Sequence, residues 1–379
     1  MSFEIKGWCP GALRPMQSGD GLILRIRPPN GRLLPAQVRA IAEVSARLGN
    51  GLIDLTQRAH LQLRGLDAQG HALAIATLGG LGLLDDSPAA EARRNVLLNP
   101  FAAPGGPAWR LAAELSRRLA AGDAPDLPGK FGFAVDLAPP LLAEAPADIR
   151  LIPRDLGWTV HPDGADWHLA GADPVAEALA LARWFITRNG TRRGRMRDLA
   201  ARAPRPPGAR PGPPPQAGPR PQPGALPQGR LLGFAFGQIT AAQLAAIAAP
   251  LRLTPWRMLL IEGGAEAGAR ILGAIEAPGD PLLRSHACTG APGCPQARGT
   301  TRDLARALAP LAPGSLHVSG CAKGCAQPAA CDLTLVATAP GRYDLIRRGR
   351  AGDPPCRRDL DPAALTNLIR QQSADDASL

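Results

Sequence analysis

Two cysteine pairs sit in settings that invite metal chemistry. In "HACTGAPGCPQARG" five residues separate Cys288 from Cys294, and in "HVSGCAKGCAQP" three residues separate Cys321 from Cys325, with a gap of 26 residues between the pairs. A disulfide framework suits a small secreted chain, whereas this one has 379 residues and an odd count of seven cysteines. Its amino terminus, "MSFEIKGWCPG", lacks the apolar run of a signal peptide, so a reducing, cytoplasmic setting is expected. Structural zinc sites favour tighter cysteine knuckles followed by a second knuckle or by histidines. Here the upstream pair is wider, and Gly290, Gly293, Gly320 and Gly324 leave room for backbone N–H groups to approach bridging sulfides. Four thiolates on such loops suit a [4Fe-4S] cluster, which needs wide ligand spacing and hydrogen bonds to its sulfurs. A buried, unligated thiol is the ordinary reading of a lone cysteine, and it is the one taken for Cys9, Cys331 and Cys356.

A second group of residues is basic. In "DLTQRAHLQLRG" polar and apolar residues alternate, so Arg58, His60, Gln62 and Arg64 are expected on one face of a strand, with Ala59, Leu61 and Leu63 on the other. Arginines side by side repel unless an anion lies over them; a solvated sheet face is the plain alternative. Arg94, beside Asn95, and Lys130, one of only three lysines, are further candidates. The net charge is +11 and the pI about 10.3. Yet the 40 arginines are scattered through a chain rich in Pro, Gly and Ala, so no basic stripe marks a nucleic-acid partner. A guanidinium in a pocket still matches carboxylates and phosphates through its planar fork. No window approaches the roughly 20 apolar residues of a membrane span.

These residues need elements to position them, and the chain is long enough for two or more domains. The segment "RAPRPPGARPGPPPQAGPRPQPG", residues 202–224, reads as an extended linker that excludes packed helix or strand. The arms on either side echo each other. Gly31, Gln37, Ile41 and Ala42 match Gly237, Gln243, Ile247 and Ala248 at an offset of 206; Thr56, Leu61 and Gly65 match Thr254, Leu259 and Gly263 at 198. Each copy reads as strand, turn, helix and strand, with the first helix starting near Pro35. Helices are also expected near 107–121, 174–188 and 300–309, and a strand at "CDLTLVA".

The duplicated arms, the cysteine pairs and the segments "TQRAHLQLRG", "RRNVLL" and "LPGKFGF" together resemble the sulfite and nitrite reductase superfamily. Within it, "GWCPGALRPMQSGDGLILRIRP", "GNGLIDLTQRAHLQLRG", "LPGKFGFAVD" and "RLTPWR" are most similar to the precorrin-3B synthases, over about residues 5–340 apart from the linker. The resemblance implies an α+β fold of two pseudo-symmetric arms, each a ferredoxin-like half-domain followed by a reductase-type α/β domain, the second carrying the cluster. The expected divisions are 5–75 and 76–201 for the first arm, 202–224 for the linker, and 225–280 and 281–370 for the second arm.

In the reductases, arginines at the places of Arg58 and Arg94 and two lysines of a K-F-K segment hold a sirohaem pocket and the anion on its iron. This chain keeps Arg58, Arg94 and Lys130 but has Gly132 where the second lysine belongs. The loss disfavours anion reduction, and a lysine restored at 132 is expected to raise anion affinity. The tetrapyrrole then becomes the substrate, precorrin-3A, with Arg58, His60, Gln62, Arg64, Arg94 and Lys130 as its binding residues. The implied reaction uses O2, electrons from an unidentified donor passed through the cluster, and a mononuclear non-haem iron. No ligand set for that iron can be picked from His60, His71, His161, His168, His286 and His317. The alternatives are a sirohaem sulfite or nitrite reductase and a redox-sensing, cluster-containing nucleic-acid-binding protein.

Overall fold

The computed structural model describes residues 10–155, 157–189, 194–263 and 271–376, so Cys9 lies outside the described residues. The architecture is α+β, and its centre is a pair of antiparallel five-stranded sheets. One runs in the order Met16–Ser18, Gly21–Ile26, Leu61–Leu66, Leu52–Leu55 and Gln238–Thr240. The other runs Gly224–Leu226, Gly229–Gly233, Met258–Glu262, Leu251–Leu253 and Arg32–Leu33. Each sheet thus takes its last strand from the opposite arm. The strands exchanged are equivalent copies, and Leu24, Ile41, Ile53, Ile239, Leu251 and Ile261 pack into one shared core.

The repeat extends to individual hydrogen bonds. The turns Pro29–Gly31 and Ala235–Gly237 both place their middle residue in the left-handed region, Asn30 at φ 51° and Phe236 at φ 59°. The helices Pro35–Leu48 and Ala241–Ala245 follow, and a helix start leaves N–H groups without partners. Gln37 and Gln243 answer this in the same way, each accepting from a cap N–H at 2.8 Å and donating to the carbonyl of Leu81 or Leu272. The Thr56 and Thr254 hydroxyls accept from the N–H groups of His60 and Met258 at 3.1 and 3.2 Å, which tightens the two hairpin turns. One equivalent pair has its charges reversed: Asp54 and Arg64 form a 3.2 Å bridge in the first sheet, Arg252 and Glu262 a 2.5 Å bridge in the second.

A flanking α/β layer accompanies each half-domain. In the first arm the strands Val96–Leu98, Phe133–Val135 and Ile149–Arg154 are parallel and Gly157–Pro162 returns antiparallel. In the second arm Ser285–Ala287, Leu316–Ser319 and Cys331–Ala339 are parallel, followed by antiparallel Arg342–Gly349 and Arg357–Leu360. The helices Pro107–Ala120 and Arg302–Leu308 link the first two strands of each sheet, and Pro174–Asn189 backs the first. The expected division at 75/76 falls inside the helix Ala68–Gly79, which packs on the first half-domain.

Two expectations change. The strand expected through Arg58 begins only at Leu61; residues 56–60 form the hairpin turn, with Ala59 at φ 52°. Arg58 and His60 therefore do not share a strand face with Gln62 and Arg64. The linker is extended, as its proline content demands, but it is a fastened strap that does contain strand. Arg210–Pro211 pairs with Trp167–His168, Gly218 N donates to Pro140 O at 2.7 Å, and Arg220 Nη2 donates to Trp256 O at 3.1 Å. Among the described residues no helix is long and apolar enough to cross a membrane.

Candidate functional site

The cysteine loops grow from the carboxyl ends of two neighbouring parallel strands, the edge where open α/β sheets bind ligands. Cys288 follows Ser285–Ala287, and Cys321 comes two residues after Leu316–Ser319. Cys288, Cys294 and Cys321 are half-buried and Cys325 is exposed. The loops are tied by Thr301 Oγ1 donating to Cys288 O at 2.6 Å, Ser319 Oγ to Cys321 O at 2.7 Å, and Cys294 N to Gly290 O at 2.8 Å. Gly290 is required twice over: its φ is +70°, and a Cβ there would stand 2.7 Å from Thr301 Oγ1. Gly320 N–H already points at Cys288 Sγ at 3.2 Å, the kind of hydrogen bond that tunes a metal-bound sulfur.

The Cys325 thiol senses the other three. Burial pushes the Cys325 thiol up, Lys323 pulls it down, and Cys288, Cys321 and Cys294 push it up again. Iron ligation removes that cost by holding the sulfurs as thiolates. Among the described residues no three of His, Cys, Asp and Glu converge on a single-ion site. The loops bring four thiols to neighbouring strand ends, the donor set of a four-iron cube. The histidines are divided among separate places: His71 Nε2 is tied to Ala12 O, His161 and His168 stack 5.0 Å apart in the first arm, and His286 pairs with His317 on neighbouring strands of the second. Cys331 is buried at the start of its strand, as expected, whereas Cys356 is exposed, with its Sγ donating to Leu345 O beside the strand pair at the far edge of the sheet.

In the first arm the corresponding strand ends carry a buried carboxylate and its hydrogen-bond partners. Asp136, fully buried, accepts from Asn99 Nδ2 at 2.6 Å and from the N–H groups of Leu137, Leu141 and Leu142.

A cavity of about 260 Å3 lies against Cys288 and Cys325 and is lined on its far side by Arg25, Gln62, Arg64 and Asp54, with Arg257 and Arg302 beside the cysteines. Of the expected binding residues, only Gln62 and Arg64 reach it. Arg64, expected to meet a substrate carboxylate, meets protein carboxylates instead: it pairs with Asp20 at 2.8 Å and Asp54 at 3.2 Å, and its side chain is 5% exposed. The anion over this arginine is the protein's own. Asp54 also accepts from Arg302 and Gln238, joining the half-domain sheet to the cysteine-bearing domain. Gln62, with its amide turned to accept, takes a hydrogen bond from Arg25 Nη2 at 2.8 Å.

The other expected residues gather behind this cavity. His60 is 5% exposed, and burial first, then the guanidiniums of Arg27, Arg25, Arg58 and Arg94, hold its pKa well below the ordinary value, so it is neutral. Arg27 is lowered to about 10 by burial against the pull of Glu91. Arg94 pairs with Asp85 at 2.5 Å, and Arg58 Nη2 donates to Lys130 O at 2.7 Å while the Lys130 side chain is exposed. Gly132 sits buried between them. A Cβ at 132 would stand 2.8 Å from Asn95 Nδ2 and 3.0 Å from Arg58 Nη1, so restoring a lysine displaces Arg58 rather than adding a cation beside it. Sequence reasoning missed Arg25, Asp54, Arg257 and Arg302. The repeat carried a signal for one of them, since Arg257 occupies the left-handed turn position of Ala59 at the 198 offset.

Comparison with known proteins agrees with this fold. Residues 14–78 match the family model of the nitrite/sulfite reductase ferredoxin-like half domain. The NirA protein of Mycobacterium tuberculosis superposes with a TM-score of 0.64 at 18% identity, over 93% of this chain and 80% of that one. A ferredoxin--nitrite reductase of Leptolyngbya laminosa is 34% identical over 25% of this chain and 19% of its own length. The first half-domain is thus of the nitrite/sulfite reductase ferredoxin-like type, and the fold is one shared with NirA. A precorrin-3B synthase from Sinorhizobium sp. is 31% identical over 97% of this chain and 89% of its own. The chain belongs to the precorrin-3B synthase family.

Proposed function

We propose that the chain carries a [4Fe-4S] cluster on Cys288, Cys294, Cys321 and Cys325 and converts precorrin-3A to precorrin-3B. The reading is carried by one juxtaposition: the four-cysteine loops border a cavity walled by Arg25, Gln62, Arg257 and Arg302. Precorrin-3A is a macrocycle edged with acetates and propionates, and guanidiniums are the side chains that match carboxylates best. One atom of O2 goes to the C20 meso carbon as the ring A acetate closes a γ-lactone. The other leaves as water, with two electrons and two protons from a donor outside the chain. A cluster bound at the four cysteines supplies electrons singly.

The protein's residues set the selectivity. Arg58, Arg94 and Lys130 keep a basic flank, and neutral His60 adds no charge to it. Gly132 leaves this flank one cation short of the reductases. Removing one preorganised donor to a developing oxyanion typically costs about 100- to 1000-fold in rate, so sulfite and nitrite are poor substrates here.

Purified without oxygen, the protein is expected to show a broad cluster absorption and no sirohaem bands. Cys321→Ser and Cys325→Ser should lose that absorption, because a serine hydroxyl stays protonated near neutrality; Cys331→Ser and Cys356→Ser should keep it. A full complement of sulfide in both of the first two variants contradicts the cluster assignment. Stoichiometric sirohaem with six-electron turnover of sulfite or nitrite contradicts the synthase reading.

A further inference from the structure

The cleft does not end at the cysteine loops. Past Gln57, Phe236 and Arg257, which line both parts, it widens to about 420 Å3 beneath the strap. Phe234, Phe236 and Trp256 line this part, giving flat apolar walls. Two guanidiniums enter it from different elements, Arg257 from the second hairpin turn and Arg220 from the strap itself.

Arg257 is held there at a cost. Arg257 stands at φ 61°, where a side chain other than glycine is strained by roughly 1 kcal/mol or more. Its Nη2 donates to Ala326 O at 3.3 Å, next to Cys325, and among the described residues it forms no salt bridge. Burial lowers its pKa, Asp54 raises it, and Arg302 and Arg220 lower it further. Arg220 is solvent-exposed, and the Glu144 carboxylate lines the same space. Two guanidiniums and one carboxylate, Glu144, share this aromatic-walled space, so cations outnumber anions there, an arrangement that suits a polyanion with flat apolar faces.

We propose that Arg220 and Arg257 form a second carboxylate-holding edge of the tetrapyrrole site, which makes the Pro/Gly strap a wall of that site rather than a spacer. The inference rests on the tetrapyrrole reading for the identity of the ligand. It explains why a segment with so little capacity for regular structure is fastened at Pro140 and Trp256: its arginine must be delivered to one place.

The test uses the full chain with its cluster and uroporphyrin III, a metal-free macrocycle bearing eight carboxylates, followed by fluorescence quenching. Arg220→Gln removes the strap's charge. Arg257→Gly removes the other guanidinium and relieves the left-handed strain, so the fold is kept. Either change should weaken uroporphyrin binding about tenfold or more and make binding less sensitive to salt, with cluster absorption and thermal midpoint retained. Wild-type binding of uroporphyrin with unchanged affinity and salt dependence in both variants overturns the second edge and leaves the functional reading standing. Failure of the cluster-loaded wild type to bind uroporphyrin overturns the tetrapyrrole reading and this subsite together.

Discussion

At the scale of single residues, Gly132 shows how a gap in a motif differs from a gap in a structure. In sequence it is a missing lysine; in space it is the room that lets Arg58 and Asn95 lie close together. Gly132→Ala is expected to destabilise the protein by about 1–3 kcal/mol through overpacking, and Gly132→Lys by at least as much, with no gain of sulfite or nitrite turnover. Equilibrium denaturation and a reductase assay check both, and a stable lysine variant with new reductase activity would contradict the packing account. His161 gives a second residue-scale prediction. It is 2% exposed, and burial first, then His168, Arg154 and Arg150, lower its pKa to about 4. Between the ordinary value of 6.5 and about 4 the unfolded chain binds more protons, so stability is complete above pH 6.5 and falls as pH drops through that window. The contribution is on the order of 3 kcal/mol, and His161→Gln should flatten that part of the pH–stability profile. An unaltered slope would show that this imidazole titrates alike in both states.

At the scale of elements, the exchanged edge strands make the two half-domains interdependent. Without Gln238–Thr240 the first sheet exposes the edge at Leu52–Leu55, and without Arg32–Leu33 the second exposes Leu251–Leu253. Arg32 adds a 2.6 Å bridge to Glu262 across the exchange. Fragments 1–215 and 216–379 are therefore expected to show no cooperative thermal transition alone and to recover one when mixed, as followed by circular dichroism. A sharp transition in either isolated fragment would contradict this. The strand, helix and strand order of each copy was legible because apolar spacing and turn residues survive duplication. The exchange was not, because nothing local in "RL" or "QIT" says which sheet they join. The charge-reversed bridges also hid part of the repeat: Asp54 aligns with Arg252 and Arg64 with Glu262, so neither position matches in type, although each pair performs the same task.

At the scale of the whole molecule, the duplication provides two equivalent corners and chemistry is built at one. The second arm carries four cysteines at its strand ends, while the first fills the corresponding place with the Asn99–Asp136 hydrogen bonds. The cysteine side of this site was legible, because thiol spacing and glycines are local properties. The facing wall was legible only in part. Gln62 and Arg64 were picked out by alternation, but whether a guanidinium is open or already paired depends on Asp20 and Asp54, which reach it from other strands and turns. Arg220 lay in a segment whose composition reads as a spacer, and only the tertiary structure puts it beside Arg257. The central claim is that this cleft oxygenates a tetrapyrrole instead of reducing an inorganic anion. It is tested most directly by supplying the cluster-loaded protein with precorrin-3A, a reductant and 18O2 and weighing the product by mass spectrometry. The account predicts one 18O atom per macrocycle and loss of that product in Cys325→Ser; a macrocycle left unoxygenated, or oxygenated without label because its new oxygen came from water, would contradict it.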